Sequence, residues 1–162
     1  MDLGVSAITA VAATYLAFVA LRHSAKSRIS VVWHHSSQLP LTAGTDDHFI
    51  FDVSNVGHWY AKPVARDIIV EFRCSDIFRN AQLFRGGVGG SEESRAVGVS
   101  SPGPDLILKS LPFTLFAGEW TKFAVMVEWL PRMQGGGMIA VRAYAADGAN
   151  FWRDFKFEFR SA

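Results

Sequence analysis

The sequence predicts an all-β domain, an immunoglobulin-like antiparallel β-sandwich of about seven strands, preceded by one N-terminal transmembrane α-helix. Three observations predict it. An uncharged apolar run fills Leu3 to Leu21. Downstream of Arg28, apolar residues recur at every second position in separate short segments. Turn-forming residues punctuate those segments, and no second helical pattern follows.

At 1.5 Å per residue, about 20 apolar residues match a hydrocarbon core about 30 Å thick. A cleaved signal peptide would carry a basic stretch ahead of a shorter apolar run; only Asp2 stands there, and the run is long. An uncleaved anchor over residues 1–22 is the expectation, with a basic juxtamembrane linker over 23–28. Arg22, Lys26 and Arg28 follow the run and no Lys or Arg precedes it. The positive-inside rule then puts the N-terminus outside and the following domain in the cytoplasm. Around the helix, Ser6, Ala10, Ala13, Ala17 and Ala20 fall on one narrow face, and Val5, Ile8, Val11, Tyr15, Phe18 and Val19 on the other side. Small residues spaced by four and three let a second membrane helix approach closely. The expected partners are the lipid bilayer and an integral membrane protein, or a second copy of this helix. An alanine-rich face arising by chance is the competing reading.

The domain spans 29–162. Ile29, Val31 and Trp33 alternate with Ser30, Val32 and His34, Phe49, Phe51 and Val53 with the polar-leaning His48, Asp52 and Ser54, and Ile68, Val70 and Phe72 with Asp67, Glu71 and Arg73. The same period runs through Phe123, Val125, Val127 and Trp129, then Ile139, Val141 and Ala143, then Phe155, Phe157 and Phe159. One wet and one dry face per strand is the pattern of antiparallel sandwiches. Shorter strands are expected at Leu106 to Lys109 and Phe113 to Phe116. Turns are expected at Asn55–Gly57, Ala117–Glu119, Gln134–Gly137 and Asp147–Gly148. The Gly-, Ser- and Pro-rich stretch from about 80 to 104 is expected to be a mobile loop.

In composition, the 162 residues are 49% hydrophobic and 19% charged, which suits one packed core rather than a disordered chain. A net charge of +1 argues against a nucleic-acid binder. The single cysteine, Cys74, rules out an internal disulfide framework and makes no metal site alone.

Two polar groupings stand out. His34 and His35 end one strand while Asp46, Asp47 and His48 start the next. Across the loop between them, imidazoles and carboxylates are the donor types that hold zinc or another divalent ion. Asp and His at strand ends and turns are equally a common structural choice. The second grouping is Asn55, Gly57, His58, Trp59 and Tyr60, at the end of the second strand and in the loop after it. The first strand leaves the membrane and the second returns, so this loop should lie near the bilayer. Trp59 and Tyr60 then suit the headgroup level, and Arg22, Lys26 and Lys62 suit anionic lipid; the competing reading is that Trp59 tucks under the sandwich as an ordinary corner residue. The Gly-rich stretch lacks the Gly-Lys-Ser/Thr ending of a phosphate loop, and no GxSxG elbow, catalytic dyad or cofactor motif occurs.

Three segments carry a resemblance: FDVSNVGHWYAKPVARDIIVEF (51–72), LFAGEWTKFAVMVEW (115–129) and GGGMIAVRAYAADGANFWRDFKF (135–157). They resemble bacterial Ig-like modules of the cell-adhesion-related (CARDB) type, with an Asn-x-Gly strand end, an Ala-Gly-Glu turn and a closing hairpin. The resemblance implies a spacer or binding module, often outside the membrane. Together these readings predict a membrane-anchored, non-catalytic accessory protein without a cofactor. A metal- or ligand-sensing module built on the His/Asp cluster, or an exported envelope spacer, are the alternatives.

Overall fold

The computed structural model describes residues 2–34, 46–74, 78–89, 95–96, 106–129 and 136–158. Helix α1 spans Asp2–Ser24. Its 23 residues reach roughly 35 Å at 1.5 Å per residue. The helix starts and ends a little outside the apolar run, so the segment joining it to the domain is only residues 25–28.

The strands are β1 (Ile29–His34), β2 (Asp46–Asn55), β3 (Ala65–Cys74), β4 (Phe78–Val88), β5 (Arg95–Ala96), β6 (Leu106–Lys109), β7 (Phe113–Leu115), β8 (Trp120–Trp129), β9 (Gly136–Tyr144) and β10 (Asn150–Glu158). One sheet has the order β1-β2-β8-β4-β5, the other β10-β9-β3-β6, with β7 also paired to β3. Every described pairing is antiparallel.

Period-two alternation sets which side chains point between the sheets. Phe51, Val53, Phe123, Val125 and Leu83 from the first sheet are buried against Ile68, Val70, Phe72, Val141 and Leu108 from the second. Aromatic rings bridge the layers: Phe51 lies 5.1 Å from Phe72 and 5.3 Å from Phe155 between centroids, and Phe49 lies 5.0 Å from Phe157. These tilted and edge-on arrangements are the favoured ones for ring pairs.

The stretch expected as a loop from 80 begins instead as strand β4, eleven residues from Phe78 to Val88. Ala81 and Leu83 point inward, and β4 pairs with β8 along its length. The glycines that suggested a loop, Gly86 and Gly87, sit at a register shift between Arg85 and Val88. There Thr121 Oγ1 donates to the Gly86 carbonyl at 2.8 Å. A bulge is where a strand tolerates glycine. The pair β5 falls within the same stretch, opposite Phe84 and Arg85; residues 90–94 and 97–104 lie outside the described residues.

Candidate functional site

The helix and the sandwich meet at one end of the domain, where β1 begins and β2 finishes. Three short backbone steps there are tied to three different parts of the fold. The Lys26 carbonyl accepts from His58 Nε2 at 2.9 Å. The Ser27 N–H donates to Asp147 Oδ2 at 2.5 Å, across 120 residues of sequence. Arg28 N–H faces Asn55 Oδ1 at 3.4 Å, and its carbonyl accepts from Val56 N–H at 2.8 Å. Ser27 is buried although it lies between a helix and a strand.

Asn55 organises this end. It is fully buried, and its Nδ2 donates to the carbonyls of Pro63 at 2.8 Å and Leu115 at 3.1 Å. Its Oδ1 also accepts from Gly57 N–H at 3.3 Å. Its backbone bonds Glu119 and Gly118, which fastens the β7–β8 turn to the end of β2. Gly57 is required twice over. Its φ is +68°, and a Cβ there would stand 3.1 Å from the Ala117 Cβ.

Asp147 sits in the β9–β10 turn and also accepts from Ala149 N–H at 2.9 Å. Partial burial pushes its carboxyl up. The hydrogen bonds from Ser27 and Ala149 and the Lys26 charge outweigh that and leave it below the ordinary carboxylate range.

The loop after β2 carries a ring array: His58 stacks on Tyr60 at 5.1 Å, and Trp59 meets Tyr60 edge-on at 5.3 Å. Trp59 is 93% exposed, which is far from an ordinary corner residue tucked beneath a sandwich. Arg22, Lys26 and Lys62 are exposed. The structure therefore brings Trp59, Tyr60 and His58 to the helix exit. Sequence reading did not single out the buried ties through Asn55 and Asp147. Their only signals were two turn motifs, Asn-x-Gly and Asp-Gly.

On α1, Ala10, Ala13, Ala17 and Ala20 are exposed, and the side chain of Ser6 lies outside the described residues. Ile8, Val11, Tyr15, Leu16 and Leu21 are exposed as well, so the helix is apolar around its whole girth and stands clear of the sandwich.

The His/Asp grouping is arranged differently from a loop mouth. His34 lies opposite Ile50 in the β1–β2 register, so β2 runs four residues further, to Asp46. Asp46 and Asp47 pair instead with Glu128 and Val127 on β8. The imidazole of His34 takes Asp52 as its partner, with Nε2 and Oδ2 2.6 Å apart. His35 and the side chains of Asp46, Asp47 and His48 lie outside the described residues. Among the described residues, no three His, Cys, Asp or Glu side chains gather as metal ligands. Elsewhere, Arg85 turns inward, its guanidinium carbon 4.3 Å from the centre of the Phe113 ring. Burial lowers its pKa, and the aromatic face offsets part of that cost.

No protein-family model matches the chain, and no curated protein matches it. Solved structures do resemble it in shape. AvmM, described as catalysing macrocyclization in alchivemycin A biosynthesis, is similar at a TM-score of 0.54 with 10% identity, over 85% of this chain and 91% of that one. The bacterial hydrophobin BslA matches at 0.48 and 11%, over 85% of this chain and 98% of that one. A family 123 glycoside hydrolase from Clostridium perfringens matches at 0.46 and 11%, over 85% of this chain and 28% of that one. At such identities the likeness to AvmM is one of fold.

Proposed function

We propose that the chain is a membrane-anchored, non-catalytic accessory protein, whose helix spans the bilayer beside another membrane helix and whose sandwich grips a protein partner on the cytoplasmic side. The observation that carries this reading is α1. It is an apolar helix of spanning length, uncharged from Leu3 to Leu21, with no side packed on the domain, and so large an apolar surface demands cover. Lipid covers most of it, and the Ala10, Ala13 and Ala17 face suits a close helical neighbour. The basic residues at its exit favour a cytoplasmic domain.

The strand order supports an immunoglobulin-like sandwich. Strands β1-β2-β8-β4 facing β10-β9-β3 follow the ABED and GFC orders of that fold, with β6 and β7 as additions beside β3. Such sandwiches commonly serve as binding modules, and among the described residues the side chains of Asn55, Asp147, His58 and His34 are engaged in hydrogen bonds within the fold.

A reporter fused after Ala162, active on one side of the membrane only, tests the topology. Mass measurement of the membrane-bound protein tests whether α1 is retained. Changing Ala10, Ala13 and Ala17 together to Leu should release the protein from a larger complex on native gels in mild detergent. Unaltered co-migration refutes the helix-packing part.

A further inference from the structure

At the helix-bearing end, three large apolar side chains point into solvent from two loops. Val56 is 53% exposed, Phe116 58% and Trp59 93%. The two loops are one surface. The Gly57 and Ala117 positions nearly touch, and Gly118 N–H donates to the Asn55 carbonyl at 2.7 Å. The same surface holds the helix exit, since His58 beside Trp59 bonds the Lys26 carbonyl. Neither Val56 nor Phe116 is needed for the core, which the inward-facing residues of β2 and β8 fill. Exposed aromatic and branched side chains cost solubility and are retained where something apolar covers them.

We infer that this end is a lipid footing: Val56, Trp59 and Phe116 rest in the interfacial layer of the bilayer, and Arg22, Lys26 and Lys62 meet anionic headgroups. The inference rests on the reading of α1 as a membrane anchor. Continuity identifies the occupant. A helix that enters the bilayer within a few residues of Lys26 brings the surface bonded to Lys26 to the headgroup layer. Indole and phenyl rings prefer that layer, and exposed lysine and arginine add attraction to negative lipid. The ties through Asn55 and Asp147 make the footing a fixed base, because residues 26–28 have little freedom to lift the domain away.

The test exploits the placement of tryptophan. All five tryptophans lie in the domain and none in α1, so their fluorescence reports the sandwich alone. The full chain is reconstituted into vesicles of phosphatidylcholine and phosphatidylglycerol carrying lipids brominated in the upper acyl chain. Retention of the protein after alkaline extraction is measured on the same vesicles. The expected result is retained protein whose tryptophan emission is quenched, with most of the quenching lost in Trp59→Phe. Replacing Val56 and Phe116 together with Ser should weaken quenching of Trp59 without altering retention, and both variants should keep the far-UV signature of the sheets. Retained protein without quenching, or equal quenching in Trp59→Phe, overturns the footing and leaves the anchor standing. Protein stripped off by alkali overturns the anchor reading, and the footing with it.

Discussion

Replacing Asn55 with alanine removes a side chain that satisfies backbone groups in three separate segments. Two of its hydrogen bonds are short, to the carbonyls of Pro63 at 2.8 Å and Leu115 at 3.1 Å; two are longer, from Gly57 and Arg28. The Leu115 carbonyl is in a buried setting, whereas the Pro63 carbonyl is partly exposed and can recruit water. A buried group left unpaired costs about 1–3 kcal/mol, and a water-reachable one less, so the two short bonds together set a loss of roughly 3 kcal/mol. For a domain of this size, each kcal/mol lowers the melting temperature by about 4 °C, which gives a fall of roughly 12 °C. Thermal unfolding of the full chain in detergent, followed by far-UV circular dichroism, reads this directly. Asn55→Asp should be at least as harmful, because it loses both donors and sets a buried negative charge against two carbonyls. A fall of under about 2 °C in Asn55→Ala would refute the view that this residue holds the helix-bearing end of the domain together, since even one unpaired buried carbonyl costs more.

Asp147 makes stability depend on acidity. Its folded carboxyl titrates below the ordinary value, so its contribution is complete above about pH 4 and fades as pH falls through the lowered folded value. In urea unfolding, wild type should exceed Asp147→Asn at pH 7, and the gap should narrow as pH falls below about 4; a gap that stays constant speaks against the bond to Ser27. Cys74 is buried at the end of β3, and burial pushes its thiol up to about 12. Its thiolate fraction at pH 8 is then on the order of 10⁻⁴, so iodoacetamide should label it only in denaturant. Rapid labelling of the folded chain would show that this end of β3 opens.

Sequence reveals most where burial enforces alternation. Phe123, Val125 and Val127 alternate visibly because each fills the space between the sheets. The same rule failed in β4, where Gly86 and Gly87 interrupt the pattern at a bulge that only pairing with β8 makes tolerable. The His34 environment was hidden for another reason. The sequence shows His34 and His35 near Asp46–His48, but register is a property of the paired strands. Setting Val32 opposite Asp52 and His34 opposite Ile50 gives His34 a partner on the middle of β2. The tie from Ser27 to Asp147 spans 120 residues and involves a turn aspartate that locally needs no distant partner. Trp59 was readable as a candidate because the direction of β1 and β2 fixes which loop returns toward α1. Phe116 was not, since its loop joins that surface only through the contacts between Asn55 and Gly118.

The joint between α1 and the sandwich decides how the two can act together. Four unrestrained residues would leave the domain free to swing beneath its anchor. Here Lys26, Ser27 and Arg28 are each bonded, to the β2–β3 loop, the β9–β10 turn and the end of β2 respectively. These ties come from both sheets, so the helix is referenced to the whole sandwich. With the helix spanning a bilayer, rotating it about its own axis would carry the sandwich around with it. If one face of α1 packs against a neighbouring helix, as proposed above, that face would select which outer sheet face is turned toward the neighbour's soluble part. The proposed footing would restrain tilt in the same way, by holding Trp59 at the headgroup layer. On the proposed reading, partner choice in the membrane and partner contact outside it would be coupled through these three residues, with Asn55 and Asp147 setting the strength of that coupling.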